Sequence, residues 1–204
     1  MDRVKVLSRR IETWELRRGD HIYARRRKLG VIIYMHHGIY ESHQKVIHFL
    51  SSADTMGSSS SLAFTVCASC RNGGGCASTM RGGGVVACCL ECFLEGDDLR
   101  LFAYGVPWWF FNCTNAGVGQ DNCSMEAEDP ADEVLRRANH GLRHGGFGGG
   151  YHVALNNCFD FAYYCKTGCH YVSAVDVVRD VAHPLRPSPY SFQELRSTLR
   201  RWLF

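Results

Sequence analysis

The chain predicts antiparallel strands in its first third and helices in its second half, with a cysteine-rich insert between them. Three observations carry this reading. Runs rich in β-branched and aromatic residues recur at 21–23, 31–40 and 45–50, separated by short polar turns. Asn157 and Gly168 bracket the run Cys158-Phe159-Asp160-Phe161-Ala162-Tyr163-Tyr164-Cys165-Lys166-Thr167 as a cap and a stop bracket a helix. Cys67-Ala68-Ser69-Cys70 and Cys89-Leu90-Glu91-Cys92 stand eighteen residues apart in a glycine-rich stretch.

The composition narrows the class. A length of 204 residues suffices for one domain with a core and a small insert. A net charge of +3 gives no argument for nucleic acid. The first residues lead into no apolar signal region, and no stretch is long enough to span a bilayer. The expected compartment is therefore reducing and cytoplasmic. The eleven cysteines then read as thiols or metal ligands rather than disulfides.

Residues 1–15 read as an N-terminal arm. Gly19-Asp20 turns into a first strand, and the basic run Arg25-Arg26-Arg27-Lys28 reads as a solvated hairpin turn. The four residues Glu41-Ser42-His43-Gln44 make the next two strands antiparallel neighbours. His36 and His48 then lie close across the ladder, while alternation sends His37 to the opposite face. Cys158 opens the capped helix, where unpaired N–H groups and the helix dipole favour a thiolate. A buried structural cysteine is the alternative reading of Cys158. A reachable histidine pair turns the position into a Cys-His-His site.

These residues resemble the lecithin retinol acyltransferase (LRAT) domain family. The shared features are His36-His37-Gly38-Ile39-Tyr40, His48 twelve residues after His36, and Asn157-Cys158 with Phe161. Gly19-Asp20 and the ending Tyr164-Cys165-Lys166-Thr167-Gly168 fit as well, so the likeness runs over residues 16–172. It is nearest to plant members of the family, which carry a segment like Cys89-Leu90-Glu91-Cys92-Phe93-Leu94. The resemblance implies an α+β fold, a circularly permuted papain-like domain. It implies Cys158 as nucleophile, His36 as its base and His48 as the group orienting His36. Relatives usually place an acid directly after the cysteine; here Phe159 stands there and Asp160 follows. Removing that charge should favour the thiolate.

Residues 51–95 form the insert, opening with a low-complexity linker at 51–61. Cys67, Cys70, Cys89 and Cys92 have the spacing of a four-thiolate zinc ribbon, with Cys76 and Cys88 as spare thiols. Such a closed site is structural, and its metal would stabilise a loop with little core of its own. Unmetallated thiols in a loop are the alternative.

A strand is predicted over 99–106. The aromatic block Pro107-Trp108-Trp109-Phe110-Phe111 is assigned to the core in preference to an exposed patch. Asp129-Pro130 opens a helix whose apolar face is Val134, Leu135, Ala138 and Leu142, ending at Gly145. His140, His144 and His152 read as surface or packing residues. Residues 173–204 form a tail ending in an amphipathic basic segment, with Phe192, Leu195 and Leu199 on one face and Arg196, Arg200 and Arg201 around it. It can lie on an anionic membrane or dock on protein, and it is no transmembrane anchor.

The expected activity, implied by the resemblance, is thiol-dependent acyl transfer or lipid hydrolysis. The acyl group would come from a lipid ester, in first place a phospholipid, and pass to water, a hydroxyl or an amine. A non-enzymatic interaction scaffold and a thiol amide hydrolase are the rival readings.

Overall fold

The computed structural model describes residues 10–28, 31–51, 70, 76, 84–115, 122–148, 151–152 and 156–171. Its centre is a five-stranded antiparallel sheet in the order β4-β3-β2-β1-β5. The strands are β1 (His21–Lys28), β2 (Val31–Ser42), β3 (Lys45–Leu50), β4 (Gly84–Cys88) and β5 (Arg100–Leu101). The helices are α1 (Leu90–Leu94), α2 (Trp108–Asn115), α3 (Ala131–His144) and α4 (Cys158–Thr167). The described residues fall almost wholly in one unit, Met1–His170; of a second, Tyr171–Phe204, Tyr171 alone is described. The linker at 52–61 and the amphipathic segment after Ser191 lie outside the described residues.

Register divides the sheet into two faces. Ala24 pairs with His36, Gly38 with His48 and Val46 with Cys88. These even-numbered positions therefore share one face, where Ile22, Ala24, Tyr40, Val46, Leu50 and Val86 pack under α1. The odd-numbered face carries Ile39, Ile47, Phe49 and Val85 against Val134, Ala138, Phe161 and Cys165 of α3 and α4. Apolar residues thus pack on each face, which is why the strand sequences read as largely apolar runs interrupted by the buried histidines.

Gly38 is required by the first of these layers. A Cβ built there would lie 2.8 Å from the Phe93 ring, 3.0 Å from Val46 and 3.2 Å from the His48 Cβ. Gly38→Ala is expected to cost about 1–3 kcal/mol through overpacking. Urea unfolding followed by circular dichroism checks this, and a variant as stable as wild type would remove the packing argument.

The helix ends follow their sequence signals in α4. The Asn157 side-chain oxygen accepts the N–H groups of Phe159 (2.8 Å) and Asp160 (3.3 Å), and the Asp160 carboxylate accepts the Asn157 N–H at 3.0 Å. Gly168, at φ 72°, donates its N–H to the Tyr164 carbonyl as the closing cap. At α3 Asp129 does not cap the helix: its carboxylate binds Arg137 at 2.7 Å, and Pro130 occupies the cap position. Gly145 ends the helix as expected.

Three expectations are corrected here. The basic run is not simply a solvated turn: Arg26 is buried, and its guanidinium donates to the Phe93 carbonyl at 2.6 Å and the Leu94 carbonyl at 2.7 Å. The strand over 99–106 shrinks to β5. Beyond it the backbone turns to the 122–126 segment, with Ala103 donating to Asn122 and Val106 to Ser124. The aromatic block is not core. Pro107 starts α2 and leaves Trp108 and Trp109 in its first turn, 68 % and 64 % exposed.

Candidate functional site

The even face brings the two expected histidines together. His36 Nε2 lies 2.9 Å from His48 Nδ1, and both rings are buried. His48 Nε2 in turn lies 3.1 Å from Cys88 Sγ. Phe93 of α1 covers the pair, with ring centroids 5.2 Å from His36 and 5.5 Å from His48. Burial drives the His48 imidazole down to about 3, with the Arg26 charge adding to the effect. His36 is held well below its ordinary value by burial first and then by His48 and Arg26. Both rings are neutral at physiological pH, the state in which an imidazole can take a proton.

Cys158 reaches the strand edge from α4. Its sulfur lies 3.6 Å from the Met35 carbonyl and accepts the His37 backbone N–H. Those two peptide groups flank His36. β3 pairs with β2 only from Gly38 onward, so this length of the β2 edge is where a helix N-terminus can approach the backbone. The hydrogen bonds that seat the sulfur run to this backbone and to the Tyr151 side chain rather than to a ring nitrogen, and the Phe159 N–H, bonded to Asn157 at 2.8 Å, adds only a minor contribution. The structure therefore joins His36 to His48 directly and places Cys158 beside the backbone of His36.

The thiolate preference expected from the helix N-terminus is not what the site produces. Burial pushes the Cys158 thiol up to about 11; the His37, Tyr151 and Phe159 donors lower it and Asp160 raises it. Desolvation of a nearly enclosed sulfur outweighs the dipole. The loss of an acid at position 159 does not free the site of negative charge either, because Asp160 contributes it from the next position.

The odd face holds a second polar network. His37 Nδ1 lies 2.9 Å from His21 Nε2, and His21 Nδ1 lies 2.8 Å from the Tyr104 hydroxyl. Phe159 stands edge-on to the His37 ring at 5.2 Å. Burial lowers His37 to about 3 and His21 well below its usual value, with His37 and Lys166 adding to the latter. His21 and Tyr104 were not singled out in the sequence. The available signal was parity: His21 and His37 are both odd-numbered positions on neighbouring strands, two residues out of direct register.

The third cluster is made of thiols. Cys70, Cys76, Cys89 and Cys92 bring their sulfurs within 4.8 Å of one another, three of them buried. Cys76 Sγ accepts the Cys89 N–H at 3.1 Å, and Cys89 Sγ accepts the Cys92 N–H at 3.4 Å. Four clustered thiols with N–H donors to two of the sulfurs form a donor set that could hold a metal ion. Cys70, Cys89 and Cys92 were expected in it. Cys67, the fourth expected ligand, lies outside the described residues, and Cys76 completes the set. Among the described residues the cysteines are free thiols, including Cys88, which belongs to the histidine chain.

No helix among the described residues is long and apolar enough to cross a membrane. A family model described as lecithin retinol acyltransferase matches residues 14–171. Protein LEAD-SENSITIVE 1 of Arabidopsis thaliana is 40% identical over 167 residues, covering 79% of this chain and 61% of the relative. The chain thus spans about three fifths of the length of that curated relative. No solved structure matches.

Proposed function

The chain belongs to the lecithin retinol acyltransferase family, and we propose that it is a thiol-dependent acyltransferase or lipid hydrolase working through Cys158, His36 and His48. The observation that carries this is the seating of the Cys158 sulfur on the two peptide groups flanking His36, whose ring is already bonded to His48. With Nε2 turned to His48, His36 takes the Cys158 proton on Nδ1. The sulfur then attacks an ester carbonyl, and the alcohol leaves with the proton from His36, giving an acyl-thioester. Water, a hydroxyl or an amine releases the acyl group, its own proton passing to His36. Asn157 occupies the Phe159 and Asp160 N–H groups, so the Cys158 N–H is the oxyanion donor in this reading. The raised thiol means that proton transfer accompanies attack rather than preceding it; the His37 N–H and Tyr151 stabilise the sulfur as its charge develops.

The family likeness supports a lipid ester as substrate, which we read in first place as a phospholipid. We further propose a circularly permuted papain-like arrangement over 16–172, with 1–15 as an arm, 51–95 as a zinc-ribbon-like insert and 173–204 as a tail. We read the protein as cytoplasmic and peripheral on membranes, with structural zinc on Cys70, Cys76, Cys89 and Cys92. When bound, that zinc would lock the insert and take no part in the chemistry.

A scaffold reading has exposed Trp108 and Trp109 in its favour, as a partner surface. Intact-protein mass spectrometry after incubation with phosphatidylcholine liposomes separates the readings. Wild type is expected to gain a fatty-acyl mass and Cys158→Ala none. Loss of the base should slow the adduct about 10²–10⁴-fold in His36→Gln, whereas His37→Gln should still form it. Absence of an adduct on wild type, or its presence on Cys158→Ala, would overturn the proposal. An adduct only from amide substrates would move it to an amide hydrolase.

A further inference from the structure

We propose that Cys88 is a positioning residue for the His36–His48 pair, and that metal held on Cys70, Cys76, Cys89 and Cys92 fixes Cys88 in that role. The proposal rests on His36 acting as the base for Cys158. It turns on hydrogen-bond direction. A neutral imidazole carries one N–H and one lone pair. If the Cys88 sulfur accepts the His48 Nε2–H, then His48 Nδ1 accepts the His36 Nε2–H, and His36 Nδ1 keeps its lone pair for the Cys158 proton. If Cys88 donates instead, every bond in the chain reverses, and His36 Nδ1 carries a hydrogen and cannot act as a base. The 3.1 Å contact at one end and the 2.9 Å contact at the other thus decide together whether the site is competent.

The thiol cluster is built into this contact. The peptide joining Cys88 to Cys89 carries the N–H that binds Cys76 Sγ at 3.1 Å. Cys89 caps α1 through its sulfur, Cys92 lies in that helix, and Phe93 beside it covers both histidine rings. Three of the four candidate ligands therefore hold either the backbone of Cys88 or the helix that covers the pair. Metal on these sulfurs would therefore hold the Cys88 backbone and α1 in the arrangement that sets Cys88 Sγ 3.1 Å from His48 Nε2.

Ring nitrogen signals of His48 in long-range ¹H–¹⁵N correlation spectra test this without recourse to activity. Wild type loaded with Zn²⁺ is expected to show one tautomer, with hydrogen on Nε2. Metal-free reduced wild type and Zn²⁺-loaded Cys88→Ala are expected to show a tautomer average, and Cys88→Ser to return toward wild type. The thiolate-to-metal absorption of Cd²⁺ should be as strong in Cys88→Ala as in wild type, since Cys88 is not a ligand. Acyl-adduct formation should fall about 10–100-fold in Cys88→Ala, in kcat rather than KM, and recover in Cys88→Ser. Identical His48 signals in the loaded, metal-free and Cys88→Ala proteins would overturn the proposal, as would a weakened Cd²⁺ band in Cys88→Ala. If the His48 signals follow expectation but wild type forms no adduct, the positioning role is supported and the acyl-transfer reading falls.

Discussion

Acid is expected to unfold this protein through its histidines, beginning above the range where carboxylates are protonated. His21, His36, His37 and His48 are all buried, and burial lowers each below the ordinary value of 6.5, His37 and His48 to about 3. In the unfolded chain each imidazole gains a proton as the pH falls through 6.5; in the folded chain His37 and His48 gain theirs only near 3. Between those values the unfolded state binds more protons. Stability is therefore complete above 6.5 and is lost progressively as the pH falls toward 3. Each group contributes a slope of roughly 1.4 kcal/mol per pH unit, so the two with the clearest window give about 3. A domain of ordinary stability, about 5–15 kcal/mol, loses much of it within two units. Urea unfolding followed by far-ultraviolet circular dichroism at pH 7, 6 and 5 measures this directly. His37→Gln should flatten the slope by about one histidine's share. Equal stability at pH 7 and pH 5 would mean that water or a charged partner solvates these rings. Activity should follow the same course: a base that stays neutral down to low pH produces no acid limb of its own, so the acid limb should track unfolding.

Local chemistry was legible where one residue decides one geometry. Asn157 and Gly168 end α4 because a side-chain acceptor and a residue tolerant of positive φ do so in any context. The facing of His36 toward His48 followed from strand alternation and a short hairpin alone. Legibility failed where the partner is distant in sequence. Arg26 looks like one of four solvated cations until α1 presents its carbonyls. Trp108 and Trp109 carry the composition of a core but sit in the first turn of a short helix with nothing described over them. Cys88 looked like a spare thiol because the register that sets it beside His48 joins strands separated by residues 51–83. The Cys158 thiol shows the same division. The helix N-terminus was visible, but the burial that outweighs it arises only in the folded chain, where the sulfur reaches the β2 backbone.

Arg26→Ala should be among the most destabilising single substitutions in the protein, costing about 3–5 kcal/mol. Its guanidinium ends α1: one nitrogen donates to the Phe93 carbonyl, another to the Leu94 carbonyl and, at 3.0 Å, to the Asp97 carboxylate. Glu95 lies 3.6 Å away. Removing the side chain leaves two helix-terminal carbonyls without this donor and two partly buried carboxylates without this countercharge. That residual penalty, rather than the intrinsic strength of the pair, makes the expected loss large. Arg26→Lys keeps the charge but replaces a planar fork by a single ammonium, so it should recover part of the loss. Asp97→Asn removes one rim partner and should cost far less, about 1 kcal/mol, because Asp97 is 24% exposed and screened. The effect should also travel. α1 carries Phe93 onto the histidine pair and Cys92 into the thiol cluster, so Arg26→Ala should weaken Cd²⁺ absorption and broaden the His48 ring signals under conditions where most molecules remain folded. Comparison of the three variants by urea midpoint and by Cd²⁺ titration separates the two effects. A cost under about 1 kcal/mol for Arg26→Ala would mean that water replaces the guanidinium at the end of α1. The helix would then be held over the histidines by Phe93 packing and its thiols, and the basic run would be the solvated turn that its composition suggests.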